Sequence, residues 1–221
     1  MPKRRRAALL CGSARAVLTA TARALSGAGI PQVIQASPAD LVDARRLLRA
    51  TARRGTPIRI VEAVLGGDEA SRRLIAAAWA AARAIDTVVL CVGQRSAAAT
   101  DLGLEEWDDA IAAGLRAPFF LAKHAAVRMA ERGGGRVVLA VEAPARLESP
   151  AEAVVNAGLR CMVDAFSSAL PRDVALGAVF GGVGETIDQG VAEIARAVGS
   201  LVIDGVRPNG TIVELGSPRR G

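Results

Sequence analysis

Leu9-Leu10-Cys11-Gly12-Ser13-Ala14-Arg15-Ala16-Val17-Leu18 is the stretch that decides the fold of this chain. An apolar run of strand length ends in a small Gly/Ser turn and passes into a segment with helical patterning. That is the pattern of a β-strand feeding an α-helix. The residues before it, Pro2-Lys3-Arg4-Arg5-Arg6, are charged, and a charged start ahead of an apolar run outlines a signal peptide. Here the apolar stretch is only about a strand long and leads into Cys11-Gly12. A basic tail over 1–6 followed by a first strand is the better reading.

Outward from this stretch, short β-branched or Leu-rich runs alternate with longer Ala-rich ones. The pattern predicts strands near Ala7–Cys11, Gln32–Gln35, Ile58–Val61, Thr87–Val92, Arg136–Val141, Val174–Phe180 and Gly210–Leu215. It predicts helices near Val17–Ala28, Pro38–Arg54, Asp68–Ala84, Glu105–Arg132, Pro150–Leu170 and Val191–Leu201. Apolar strands in alternation with helices imply an α/β fold. The expectation is a doubly wound parallel sheet of about seven strands with helices on both faces. Gly/Pro punctuation falls at the joints and no linker interrupts the pattern, so one domain over 1–221 is expected, with a short tail at 217–221.

Half of the 221 residues are apolar, aromatics make up 3%, and tyrosine is absent altogether. No apolar stretch is long enough to cross a bilayer, which argues against a membrane partner. The net charge of +6 comes from arginine, with Lys3 and Lys123 the only lysines. No helix concentrates the arginines on one face, so they read as a solvated surface rather than a nucleic-acid site. Cys11, Cys91 and Cys161 are widely spaced and odd in number, without a CxxC pattern. They read as reduced core residues of a cytoplasmic protein, with neither a metal nor a disulfide.

Several segments in order resemble the short-chain dehydrogenase/reductase family. The opening stretch sits where that family has TGxxxGxG. Asp86-Thr87-Val88-Val89-Leu90-Cys91-Val92-Gly93 matches the strand ending in NNAG. Gly114-Leu115-Arg116-Ala117-Pro118-Phe119-Phe120 matches the NLxGPF segment. Gly134-Gly135-Arg136-Val137-Val138 leads toward the catalytic serine position, Asn156-Ala157-Gly158-Leu159 matches KAGL, and Gly210-Thr211-Ile212-Val213 resembles the last strand. The resemblance covers nearly the whole chain and implies a Rossmann-like sheet.

It also implies a nicotinamide cofactor and hydride transfer, and here the residues depart from the family. Gly12 remains, but the second and third glycine positions are Ala16 and Leu18, and Leu18 is expected to block close approach of a pyrophosphate. The acidic residue after the second strand falls at or near Ala36, with Gln35 and Ser37 as neutral neighbours. The adenine-facing aspartate falls at Leu65, and Leu90-Cys91 replace the two asparagines. Arg15 is the remaining phosphate partner. The positions of the catalytic tyrosine, lysine, serine and asparagine correspond to Glu152, Asn156, Glu142 and Gly114. No cofactor and no hydride chemistry are therefore expected. The substrate-covering segment is also short, since Gly181-Gly182 is followed by only Val183–Gly190 before the next helical pattern.

The remaining candidates are few. Glu142 and Glu152 are a carboxylate pair that a cofactor-free cyclase, isomerase or lyase acting on a small carbonyl compound could use. The plainer reading is glutamates tolerated on a solvated, vacated surface. His124, beside Lys123, reads as a surface or interface residue, and a Cys91 nucleophile would need His124 next to it. Trp107, Ile111 and Leu115 on one helix, with Val155, Leu159, Met162 and Phe166 on another, form apolar stripes at helical spacing. In the resembling family these two helices pair with their copies across a subunit interface. The expectation is a catalytically inactive, structural or regulatory family member. It would assemble with itself or as the non-catalytic subunit beside an active paralogue. Conventional NAD(P)-dependent oxidoreduction ranks behind both alternatives.

Overall fold

The computed structural model describes residues 7–52, 55–82, 84–93, 102–143, 149–181 and 187–215. Seven strands form one sheet: β1 (Ala7–Gly12), β2 (Gln32–Ala36), β3 (Ile58–Glu62), β4 (Ile85–Val92), β5 (Gly135–Glu142), β6 (Val174–Gly181) and β7 (Ile212–Leu215). Their order is β3-β2-β1-β4-β5-β6-β7 and every pairing is parallel. The expected Rossmann-like α/β sheet is thus present. The strand order reverses between β1 and β4, where a crevice opens at the carboxyl ends of the strands.

A parallel sheet covered on both faces needs strands that are apolar on both faces, and β1 and β6 are buried at every position. Alternate residues feed opposite cores. Leu9, Val88, Val137 and Leu176 pack with α3 (Asp68–Ala81), α5 (Ala117–Ala130) and α6 (Pro150–Ala169). Leu10, Val89, Val138 and Val179 pack with α1 (Arg15–Gly27), α2 (Leu41–Ala52) and α7 (Ile187–Ile203). At the start of β5 the buried Arg136 donates to the carbonyls of Leu201 (2.8 Å) and Val206 (2.9 Å). Its charge satisfies one carbonyl in the last turn of α7 and one in the segment just after it.

The structure corrects several boundaries. The helix expected over Glu105–Arg132 is α4 (Leu104–Ile111), a π-helical turn (Ala112–Arg116) and α5. The second helix begins with a 3₁₀ turn, Pro38–Asp40, and the last helix starts at Ile187 rather than Val191. Gly210 belongs to a turn, its N–H donating to the Leu176 carbonyl (2.9 Å), so β7 starts at Ile212. The tails at 1–6 and 217–221 lie outside the described residues. Among the described residues no helix is long and apolar enough to cross a membrane.

Candidate functional site

The site is built outward from the β1–α1 turn. Gly12 has φ +137°, and a side chain there would collide with the Cys91 carbonyl. The close approach of β1 and β4 therefore requires glycine at this position, with or without a ligand. The turn is stitched to the neighbouring strand ends. Gly12 N–H donates to Gln35 Oε1 (3.3 Å), Ala14 N–H to the Cys91 carbonyl (3.1 Å) and Gly93 N–H to Ser13 Oγ (3.0 Å). Ala16, at the second glycine position, is exposed. Leu18 is 3% exposed and packs in the α1/α7 core. It does not block a phosphate, as the sequence suggested, because the third position faces the sheet, where glycine serves helix–strand packing. Leu65 is half-buried against the opposite core.

Beyond the turn, Gln35 is wholly buried and its Nε2 donates to the Ala63 carbonyl (2.7 Å). Arg15 donates through Nη1 to the Gln35 backbone carbonyl (3.1 Å) and pairs through Nη2 with Asp40, which also accepts from Ser37 Oγ. The Ser37 hydroxyl, with the Arg15 guanidinium beside it, holds the Asp40 carboxyl below the usual carboxylate range. Sequence spacing does not single out Asp40, because the acid expected after β2 falls at Ala36 and Asp40 stands at the end of the following 3₁₀ turn. Arg15 is therefore already engaged within the chain. Among the described residues no side chain caps the first-turn donors of α1, and these keep the character of a phosphate site. Taken together, these residues do not fit a nicotinamide dinucleotide.

The positions that the sequence reading matches to the catalytic set are Gly114, Glu142, Glu152 and Asn156. Gly114 is buried in the π-helical turn, and a Cβ on it would lie 2.8 Å from Val155 Cγ1 and 3.0 Å from Cγ2. Glu142 ends β5 and is half-buried. By the pleat it follows Val138 and Ala140 toward the α1/α7 layer, whereas Glu152 rises from α6 in the other layer. Glu152 is not the solvated glutamate expected from sequence. It is 3% exposed, and its Oε2 is buried without a hydrogen-bond partner among the described residues. It sits in the first turn of α6, where Ser149 Oγ accepts from Ala151 N–H (3.3 Å). Ser149-x-x-Glu152 has capping-box spacing, and a helix amino terminus favours a carboxylate. Asn156, one turn on, is 7% exposed.

Other candidates separate. His124 Nε2 and Lys123 Nζ each lie 3.0 Å from Asp68 Oδ1, joining α5 to the start of α3. Cys91 faces the opposite layer, so His124 is not its base. Burial pushes the Cys91 thiol upward and the Cys11 thiol up to about 12. Cys161 is exposed, which corrects its reading as a core residue. Among the described residues no cluster of His, Cys, Asp and Glu could hold a metal.

The apolar stripes divide in the same way. Val155 and Leu159 are core residues at 2% and 0% exposure. Ile111, Leu115, Met162 and Phe166 line a groove of about 480 Å³ between the α4–α5 run and α6, together with Arg116, Phe119 and Cys161. Trp107 is half-buried on α4. Phe119 and Phe166 meet edge-to-face at 5.4 Å, and Phe119 remains 39% exposed.

Comparison with known proteins agrees with the architecture. An acetoin dehydrogenase from Salmonella typhimurium superposes with a TM-score of 0.81 at 19% identity, over 96% of this chain and 99% of its own. A short-chain dehydrogenase/reductase from Serratia marcescens gives 0.82 at 19% identity, covering 97% and 98%. A gluconate 5-dehydrogenase from Burkholderia cenocepacia, solved with NADP and tartrate, gives 0.78 at 21% identity, covering 96% and 93%. No curated protein matches. The family model described as short chain dehydrogenase matches residues 6–174, and the chain belongs to that family.

Proposed function

We propose that this chain is a non-catalytic member of the short-chain dehydrogenase family, acting as a structural or regulatory subunit through the α4–α6 face. One observation carries the reading: the sequence contains no tyrosine, so the family's proton donor cannot be supplied from any position. The neighbouring chemistry has gone with it. Val155 fills the space a side chain at Gly114 would need; of the short substrate-covering segment expected at Val183–Gly190, residues 183–186 lie outside the described residues. What is retained is the sheet and an apolar groove whose aromatic lining suits a second subunit. The partner is a second copy or an active paralogue. The test is turnover of carbonyl and alcohol substrates with NADH and NADPH, followed at 340 nm. No rate above the protein-free control is expected, and steady turnover abolished by Glu152→Gln or Asn156→Ala would overturn the reading.

A second reading is favoured by one observation, the buried Oε2 of Glu152, without a partner among the described residues, at the position that the sequence reading matches to the family's tyrosine. A carboxyl group in such a setting can serve as a general acid or base without a cofactor. Loss of a cellular product on Glu152→Gln, with the fold intact, would select this reading over the first.

A further inference from the structure

The carboxyl ends of β1 and β3, which flank β2 in the sheet, are tied together by one side chain of β2. Gln35 has both ends of its carboxamide engaged: Oε1 accepts from Gly12 N–H at the end of β1 (3.3 Å), and Nε2 donates to the Ala63 carbonyl just past β3 (2.7 Å). The Ala63 N–H in turn donates to the Ala36 carbonyl (2.9 Å). Gln32 on the same strand provides a contrast. It is also buried and donates to Ala22 and Ser26, but its Oε1 has no partner among the described residues. A buried amide satisfied at both ends by main-chain groups of two different strands is a specific bridge.

We propose that Gln35 is an internal plug of the nucleotide crevice, taking up the main-chain donor and acceptor at the carboxyl ends of β1 and β3. The Arg15–Asp40–Ser37 cluster locks the rim over it, because the guanidinium that could meet a ribose phosphate is held by the Gln35 carbonyl and a carboxylate. A ligand that sought the Gly12 N–H or the Ala63 carbonyl would have to break the Gln35 bridge to reach it. The crevice is thereby part of the chain's own hydrogen-bonded frame. This goes beyond loss of catalytic residues, since a chain without a proton donor could still bind a dinucleotide. It deepens the non-catalytic reading without depending on the assembly role.

The test uses the ¹⁵N-labelled full chain. The Gly12 amide is expected to exchange slowly with solvent, and millimolar NADPH or ADP-ribose should leave the Gly12 and Ala63 amide shifts unmoved. Gln35→Met keeps the volume and removes both bonds. It should speed Gly12 exchange at least about tenfold and lower Tm by about 5 °C. Fast Gly12 exchange in the unmodified chain would overturn the plug, as would a folded Gln35→Met with unchanged exchange. NADPH shifts saturating in the micromolar range would overturn it too. If Gln35→Met does not fold, the two measurements on the unmodified chain decide. Ligand binding sinks the plug alone, whereas turnover is what sinks the non-catalytic reading.

Discussion

Val155 on α6 stands in the space that a side chain on residue 114 would occupy, its Cγ1 lying 2.8 Å from where a Cβ of Gly114 would be. The π-helical turn at Ala112–Arg116 brings the α4–α5 run against α6 at this point. The position that the sequence reading matches to the family's asparagine is packed with the Val155 methyl groups. An Asn at 114 would have to displace a residue of the core.

Gly114→Asn should therefore destabilise rather than restore anything, by about 1–3 kcal/mol, the usual cost of overpacking. Val155→Ala in the same chain should recover part of the loss. A double-mutant cycle by thermal denaturation measures the coupling, and strictly additive effects would contradict the contact.

Charge in the groove between α5 and α6 should separate subunits without unfolding them. Phe166→Glu and Ile111→Glu are expected to reduce the mass measured by light scattering while circular dichroism stays unchanged. Leu159→Glu should behave differently and unfold the chain, because Leu159 is fully buried within one subunit. A wild-type monomer at all concentrations, alone or mixed with active paralogues, would remove the assembly role.

The Arg15–Asp40 pair makes a small contribution to stability that depends on pH. Asp40 is held below its ordinary value mainly by the Ser37 hydroxyl, so its contribution is present above the unfolded carboxylate pKa. It is lost as pH falls through the lower folded value. Both side chains are 33% exposed, which keeps the effect to about 1 kcal/mol or less. Asp40→Asn should flatten urea-derived stability relative to wild type as pH falls through and below the ordinary carboxylate range. Parallel curves for the two proteins would refute the assignment.

Thiol reactivity should divide sharply. The Cys11 thiol, raised to about 12 by burial, and the buried Cys91 should resist alkylation at pH 8, while the exposed Cys161 reacts. Mass spectrometry should find one adduct on the native chain and three in denaturant. Early labelling of Cys91 would show that the end of β4 is open.

The sequence alone determined the layering. Continuous apolar runs such as Ala7–Cys11 and Val174–Phe180 can be buried only between two helical layers, and that pattern depends on local periodicity. The absence of tyrosine also needed no coordinates, because a missing functional group is missing in any fold. What the tertiary structure alone decided was which way each side chain faced. Leu18 lies in a helix whose buried face is set by the sheet, so it turned inward instead of blocking a phosphate. Glu152 was buried at the cap of α6, and Asp40 came to face Arg15 only through the 3₁₀ turn after β2. Gln35 joined β1 to β3 because its own strand, β2, is paired between them in the sheet. Such contacts depend on the relative placement of separate elements, which composition and spacing along the chain do not encode.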